Sequence, residues 1–215
     1  HADRALWTDR ALESYRAAAA AEPGTRYYAY DVSTGLIALA SETMERGEFD
    51  AAETALAEAL ALVEGLLRDF PDSARYRDRR LDVLDSYALC ANLQGRRERA
   101  FELFATGLTE KERLCDEEPG RCDLAIEAAS ALLNMANTRI QQVEHLEEAL
   151  ALLERGEQRL LPCDGQSAPL PHVEWLRGGA RYMRALALCL LDREADAGAA
   201  IARFEAHADS APQSL

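Results

Sequence analysis

The 215-residue chain is 48% hydrophobic and 29% charged, so it can bury a core, yet no stretch approaches the length of a membrane span. Its formal charge of -14 repels phosphate backbones and acidic membrane surfaces, which argues against nucleic acid as a partner and against direct membrane insertion. Ala, Leu, Glu and Arg dominate while β-branched residues are scarce, a composition that favours helix, and the expected class is all-α. The chain opens at His1 with no Met and no charged-then-apolar leader, and reads as an excised domain or mature fragment; cytoplasmic and extracytoplasmic placements both stay open.

Helices are predicted over about 3–21, 25–46, 48–69, 73–94, 96–117, 121–142 and 144–160. The turns between them fall at "EPG", "RGE", "FPDS", "LQG" and a second "EPG". The stretch 161–171, "LPCDGQSAPLP", gathers Pro, Gly, Ser and Asp and is expected to be a loop. A last pair over about 172–191 and 194–208 is expected to cap the array, and the final "ADSAPQSL" to fray.

One grammar recurs along these helices. "GEFDAAETALAEAL", "GRRERAFELFATGL" and "VEHLEEALALLERG" each set a small residue, a bulky apolar residue four on, and a second small residue three further. The triplets are Ala52, Leu56, Ala59; Ala100, Phe104, Gly107; and Ala149, Leu153, Gly156, with an earlier copy at Ala11, Tyr15, Ala18. The helices before them carry Leu39-Ala40, Tyr87-Ala88 and Met135-Ala136, seven residues ahead of Gly47, Gly95 and Val143 at the turn within each pair. Small residues let two helices approach, and the bulky residue fills the next gap.

This pattern resembles the tetratricopeptide repeat (TPR), whose second helix has the A-x3-F arrangement. Thr43, Ala91 and Arg139 stand where the family has tyrosine, and no Trp opens these repeats. The key alanines are 41, 48 and 49 residues apart against about 34 in the standard unit, and Pro71 and Pro119 come seven residues late. Seven residues are almost two helical turns, so both helices of a pair are lengthened in register, with the one further residue of the third unit near Val143 to His145. Long-helix repeats with "FPDSARYR"-like joints resemble those appended to bacterial serine/threonine protein kinases. The resemblance implies a single domain over 1–215, a right-handed α-solenoid of antiparallel helix pairs, with units at about 3–23, 25–71, 73–119 and 121–162 and a capping pair at 172–208.

In that family the first helix of each pair lines a concave groove. Helical spacing places Tyr27, Tyr30, Thr34, Ile37, Ser41 and Met44 on one outward stripe. The next reads Asp78, Asp82, Asp85, Leu89 and Asn92, and the one after Asp123, Ser130, Leu133, Asn137 and Ile140. The candidate binding residues are therefore Tyr30, Thr34, Ser41, Asp78, Asp82, Asp85, Asn92, Ser130 and Asn137. Three carboxylates on one face suit a basic or amide-rich peptide, and the amides of Asn92 and Asn137 can donate and accept to its backbone. The plain alternative is a solvated helix face partly neutralised by Arg75, Arg79 and Arg80.

Nothing in the sequence points to catalysis or to a cofactor. The five cysteines, at 90, 115, 122, 163 and 189, form no C-x2-C pair, and Cys163, Asp164 and His172 lack a fourth metal ligand. Cys115 and Cys122 flank a helix-helix turn and are the candidate disulfide in an oxidising compartment; otherwise both read as small apolar packing residues. "RGG" at 177–179 and "EHLEE" at 144–148 complete neither a phosphate loop nor a zinc helix. Trp7, Trp175, Tyr15 and Phe104 read as core or helix-helix contacts.

The expected function is recognition of a peptide or protein partner in a preformed groove, as part of a larger signalling protein such as a bacterial serine/threonine kinase. The rivals are an extracytoplasmic small-molecule or peptide sensor and, further off, an enzyme whose site would lie at the 161–171 loop.

Overall fold

The computed structural model describes residues 2–22, 26–165, 170–193, 195–199 and 201–202. Eight long helices follow the chain: α1 (Ala2–Ala21), α2 (Tyr27–Glu45), α3 (Phe49–Asp69), α4 (Ala74–Leu93), α5 (Arg97–Glu117), α6 (Cys122–Ile140), α7 (Leu146–Arg159) and α8 (Pro171–Leu190). Residues 195–199 and 201–202 are helical as well, and no strand occurs among the described residues. The first "EPG" turn, part of the 161–171 segment and the expected frayed end lie wholly or partly outside the described residues.

The expected loop after α7 is partly ordered into a 3-10 turn, Leu161–Gly165, and α8 begins one residue earlier than predicted. Pro171 sits in its first turn, where a residue without an N–H costs nothing and its fixed φ suits the helix.

The turn within each pair repeats closely. Gly47 (φ 75°), Gly95 (φ 76°), Val143 (φ 56°) and Asp192 (φ 57°) all take the left-handed conformation just past a first helix. At Gly47 and Gly95 the following N–H reaches back five residues, Glu48 to the Thr43 carbonyl at 2.8 Å and Arg96 to the Ala91 carbonyl at 2.9 Å. Arg193 does the same to Leu188 at 2.9 Å, so three of the four turns close as Schellman motifs. α3 and α5 then start two residues after their glycines, whereas α7 starts three after Val143. The additional residue of that unit therefore lies in its turn, as expected. Val143 is β-branched in a region that costs an ordinary side chain about 1–2 kcal/mol.

The chain divides into two compact units, His1–Leu103 and Phe104–Leu215, the division falling inside α5. In unit 1, α1 packs on α2, α2 on α3 and α3 on α4, and the first helices α2 and α4 also touch. Its core joins Leu12, Val32, Leu36, Ala40, Leu56 and Val83. In unit 2, α6 packs on α7, α7 on α8, and α6 on α8, with the 3-10 turn against both α6 and α7. Phe104, Leu132, Leu153, Leu160 and Leu176 are fully covered there.

Every small residue assigned to helix contact in α2 to α7 is buried. Ala40, Ala52, Ala59, Ala88, Ala136 and Ala149 have no exposed surface, and neither do Leu56 and Leu153. Burying each such leucine contributes about 1.5–3 kcal/mol, and the alanines let the helices approach closely enough for it. Gly156 marks the tightest approach: a Cβ there would lie 2.7 Å from Leu133 Cδ1. Ala11, Tyr15 and Ala18, on the terminal helix α1, are half-buried because that helix is covered on fewer sides.

The fold class is thus all-α, built from antiparallel helices stacked neighbour on neighbour as in an α-solenoid.

Candidate functional site: equivalent helix faces in the two units

On α2 and α4, which pack against one another, the predicted stripe residues do share a neighbourhood. Tyr30, Thr34 and Ser41 lie along α2, and Asp78, Asp82, Asp85 and Asn92 along α4. Thr34, Ser41, Asp78 and Asp82 are exposed, while Tyr30, Asp85 and Asn92 are half-buried. The Thr34 hydroxyl donates back to the Tyr30 carbonyl at 3.1 Å, so it is committed to its own helix. The Asn92 amide oxygen is covered and has no hydrogen-bond partner.

Tyr30 occupies a cationic-aromatic cluster at the amino ends of α2 and α4. Arg79 Nη2 donates to its hydroxyl at 2.7 Å, and the Arg75 guanidinium stacks 3.8 Å from its ring centre and 5.0 Å from that of Tyr27. Tyr76 lies 6.1 Å away, ring to ring. Burial alone would raise the Tyr30 phenol, but hydrogen bonds and charge from Arg75 and Arg79 outweigh it and hold the phenol below its usual 10.0. Of the neutralising arginines, Arg79 also reaches Asp82 at 3.1 Å, whereas Arg75 turns to the two tyrosines. The acidic stripe is therefore partly balanced at its amino end by an arginine-tyrosine cluster that spacing alone did not assemble.

In unit 2, Ser130 and Asn137 lie half-buried on α6 beside α8. Ser130 donates to the Ile126 carbonyl at 2.8 Å. The positions of α8 that correspond to Asp78, Asp82, Asp85 and Leu89, each 97 residues on, are Trp175, Gly179, Tyr182 and Leu186. Trp175 is 72% and Tyr182 65% exposed. Trp175 is thus not the core residue its size suggested, and neither is Trp7, 65% exposed with Arg10 over its ring. Both stand on the outer side of helices whose inner sides are already filled by smaller residues. Phe104 is buried and Tyr15 half-buried, as helix contacts should be. The 97-residue spacing marks Trp175 as the equivalent of Asp78, but its size reads as core until α8 is seen to be covered on its other side.

A second pair of equivalent features lies along the second helices. In unit 1 a cleft of about 620 Å³ is floored by Ala57, Leu60, Leu84 and Ala91. Arg96 pairs with Glu53 at its edge, and the Tyr87 hydroxyl donates to the Glu53 carbonyl at 3.3 Å. In unit 2 the corresponding cleft holds about 380 Å³, with Arg184 standing where Tyr87 does. Arg184 is drawn to Glu157 at 2.6 Å.

The cysteines correct the sequence reading. Cys122, the first residue of α6, is bridged to Cys163 and not to Cys115. The 3-10 turn lays Cys163 against α6 and brings the two Cα atoms to 5.3 Å, within bridging range. Cys115 remains a thiol, which burial raises above its ordinary range. Asp164, once a conceivable metal ligand with Cys163, is paired with Arg177.

No protein-family model matches the chain, and no curated protein is similar to it in sequence. Among solved structures, the chain is similar to the crystal structure of BtubC (BKLC) from P. vanneervenii, with a TM-score of 0.56. The two share 14% identity over 99% of this chain and 94% of that one. A likeness at that identity is one of fold. Among the described residues, no helix is long and apolar enough to cross a membrane.

Proposed function

We propose that this chain is a recognition module of tetratricopeptide-like construction, binding a peptide or protein partner along the outward faces of its first helices. It would act by binding and not by turnover, as a regulatory part of a larger signalling protein such as a bacterial serine/threonine kinase. The observation that carries this reading is the outward stripe of α4. Asp78 and Asp82 are exposed on a helix whose inner side is fixed by Leu81, Val83, Leu84 and Ala88. A rigid scaffold that holds carboxylates outward loses little entropy on binding and favours partners of basic character.

The test is capture of a basic peptide by wild type and by an Asp78→Lys, Asp82→Lys, Asp85→Lys variant. Two exposed charges and one half-buried one, at about 0.5–1 kcal/mol each, predict a loss of roughly 10-fold to 150-fold. Unchanged capture sinks the reading.

The disulfide supports a second reading, that of an extracytoplasmic sensor. Bridges such as Cys122–Cys163 persist in oxidising compartments and are rare in reducing ones. Counting free thiols on protein taken from its native compartment tests that placement: three supports it, and five removes it.

A further inference from the structure

The outward face of α8 is the least expected surface on the molecule. Trp175, Tyr182, Leu186 and Leu190 are 72%, 65%, 39% and 44% exposed. They follow one another at seven, four and four residues, so they form one stripe about 22 Å long at the α-helical rise. At its amino end the His172 ring meets Trp175 edge-on at 5.9 Å. Between the two aromatic residues sits Gly179, and a Cβ there would meet nothing closer than Leu133 Cδ2 at 3.9 Å. Helix packing thus explains Gly156 but not Gly179, whose place in a helix interior costs about 0.5–1 kcal/mol relative to alanine. Gly179, half-buried, places no side chain between Trp175 and Tyr182.

We infer that this stripe is an anchoring surface for a peptide segment that carries large aliphatic or aromatic side chains among basic residues. The inference rests on the peptide-binding reading above and names the partner chemistry of unit 2. The charge of the unit selects the basic flanks. Phe104–Leu215 holds 19 acidic residues against 11 Lys and Arg, a formal -8, and its arginines are largely committed to its own carboxylates. A second copy of the chain fits poorly. The four side chains offer roughly 400–500 Å² of apolar surface, against about 800 Å² per partner in a standard interface. Two copies, each at -14, also repel.

The chain has two tryptophans, so Trp7→Phe makes Trp175 the sole indole reporter. Three synthetic peptides of equal length are titrated into it: amphipathic Lys/Leu, amphipathic Glu/Leu, and Lys/Ser without apolar anchors. Lys/Leu should shift Trp175 emission to the blue, saturably, and bind at least ten-fold tighter than the other two. Tyr182→Ala, at an exposed position, and Gly179→Leu, which puts a side chain between Trp175 and Tyr182, should each weaken Lys/Leu ten-fold while leaving the circular dichroism unchanged. Glu/Leu binding as well as Lys/Leu overturns the inference, as does indifference to Tyr182→Ala and Gly179→Leu. A blue shift that grows with protein concentration in the absence of peptide also overturns it, in favour of self-association. If Lys/Leu and Lys/Ser bind alike and only the Asp78, Asp82, Asp85 variant loses them, the inference falls while the module's peptide-binding reading stands.

Discussion

On α4 in unit 1 the outward positions are Asp78, Asp82 and Asp85; on α8 in unit 2 the positions 97 residues later are Trp175, Gly179 and Tyr182. Around them much of the scaffold is held in common. Ala52 and Ala149 are fully buried, as are Leu56 and Leu153, and Gly95 and Asp192 turn the chain through the same left-handed geometry. What recurs is set by how closely two helices must approach. What diverges faces solvent, where substitution seldom costs stability and a binding surface can therefore differ from unit to unit. The units differ in reinforcement too, since unit 2 has the Cys122–Cys163 bridge and unit 1 has a single cysteine, Cys90.

The largest test of that contrast is removal of the bridge. Closing a loop of 41 residues is worth about 4 kcal/mol in the chain-entropy account. Cys122→Ser with Cys163→Ser, or reduction, should therefore speed amide exchange in α6 to α8 while α2 and α3 stay protected. Equal loss in both units would mean that the bridge does not stabilise unit 2 selectively.

Next in size is the contact at the second small position. Gly156→Leu forces a side chain onto Leu133 and should destabilise by about 1–3 kcal/mol. Ala59→Gly, at the equivalent place in unit 1, should cost no more than about 1 kcal/mol, chiefly through helix propensity. Thermal denaturation of the two variants checks the order.

The turns sharpen the comparison further. Val143→Gly removes a β-branched side chain from φ 56° and should stabilise by about 1 kcal/mol. Gly47→Val should destabilise by a similar amount, although a Cβ there meets nothing within 4 Å, because the strain is in the backbone. A denaturant midpoint that falls for Val143→Gly would contradict this account.

The smallest effect is ionisation within unit 1. Tyr30 should titrate below 10.0 and Tyr87 above it, the first through Arg75 and Arg79 overcoming burial, the second through burial. A depressed phenol pKa adds stability only as pH rises through the folded value, reaches its full extent above the unfolded value, and is absent at neutral pH. Ultraviolet titration of phenolate absorbance should lose its earliest component in Tyr30→Phe and its latest in Tyr87→Phe. An earliest component that persists in Tyr30→Phe would place the low phenol elsewhere.

Helix positions, the turns at Gly47, Gly95 and Val143, and the buried set from Ala40 to Leu153 were all legible in the sequence. Each follows from rules that act within a few residues: the 3.6-residue period, the need for positive φ at a turn, and small residues where helices meet. Three things needed the folded chain. Cys122 finds Cys163 because a 3-10 turn 41 residues away packs on α6, a matter of distance in space. Tyr30 gains its arginines because α2 lies beside α4. Trp175 is exposed because its helix was already covered on the other side, and no local pattern says which of two apolar faces a neighbour will take.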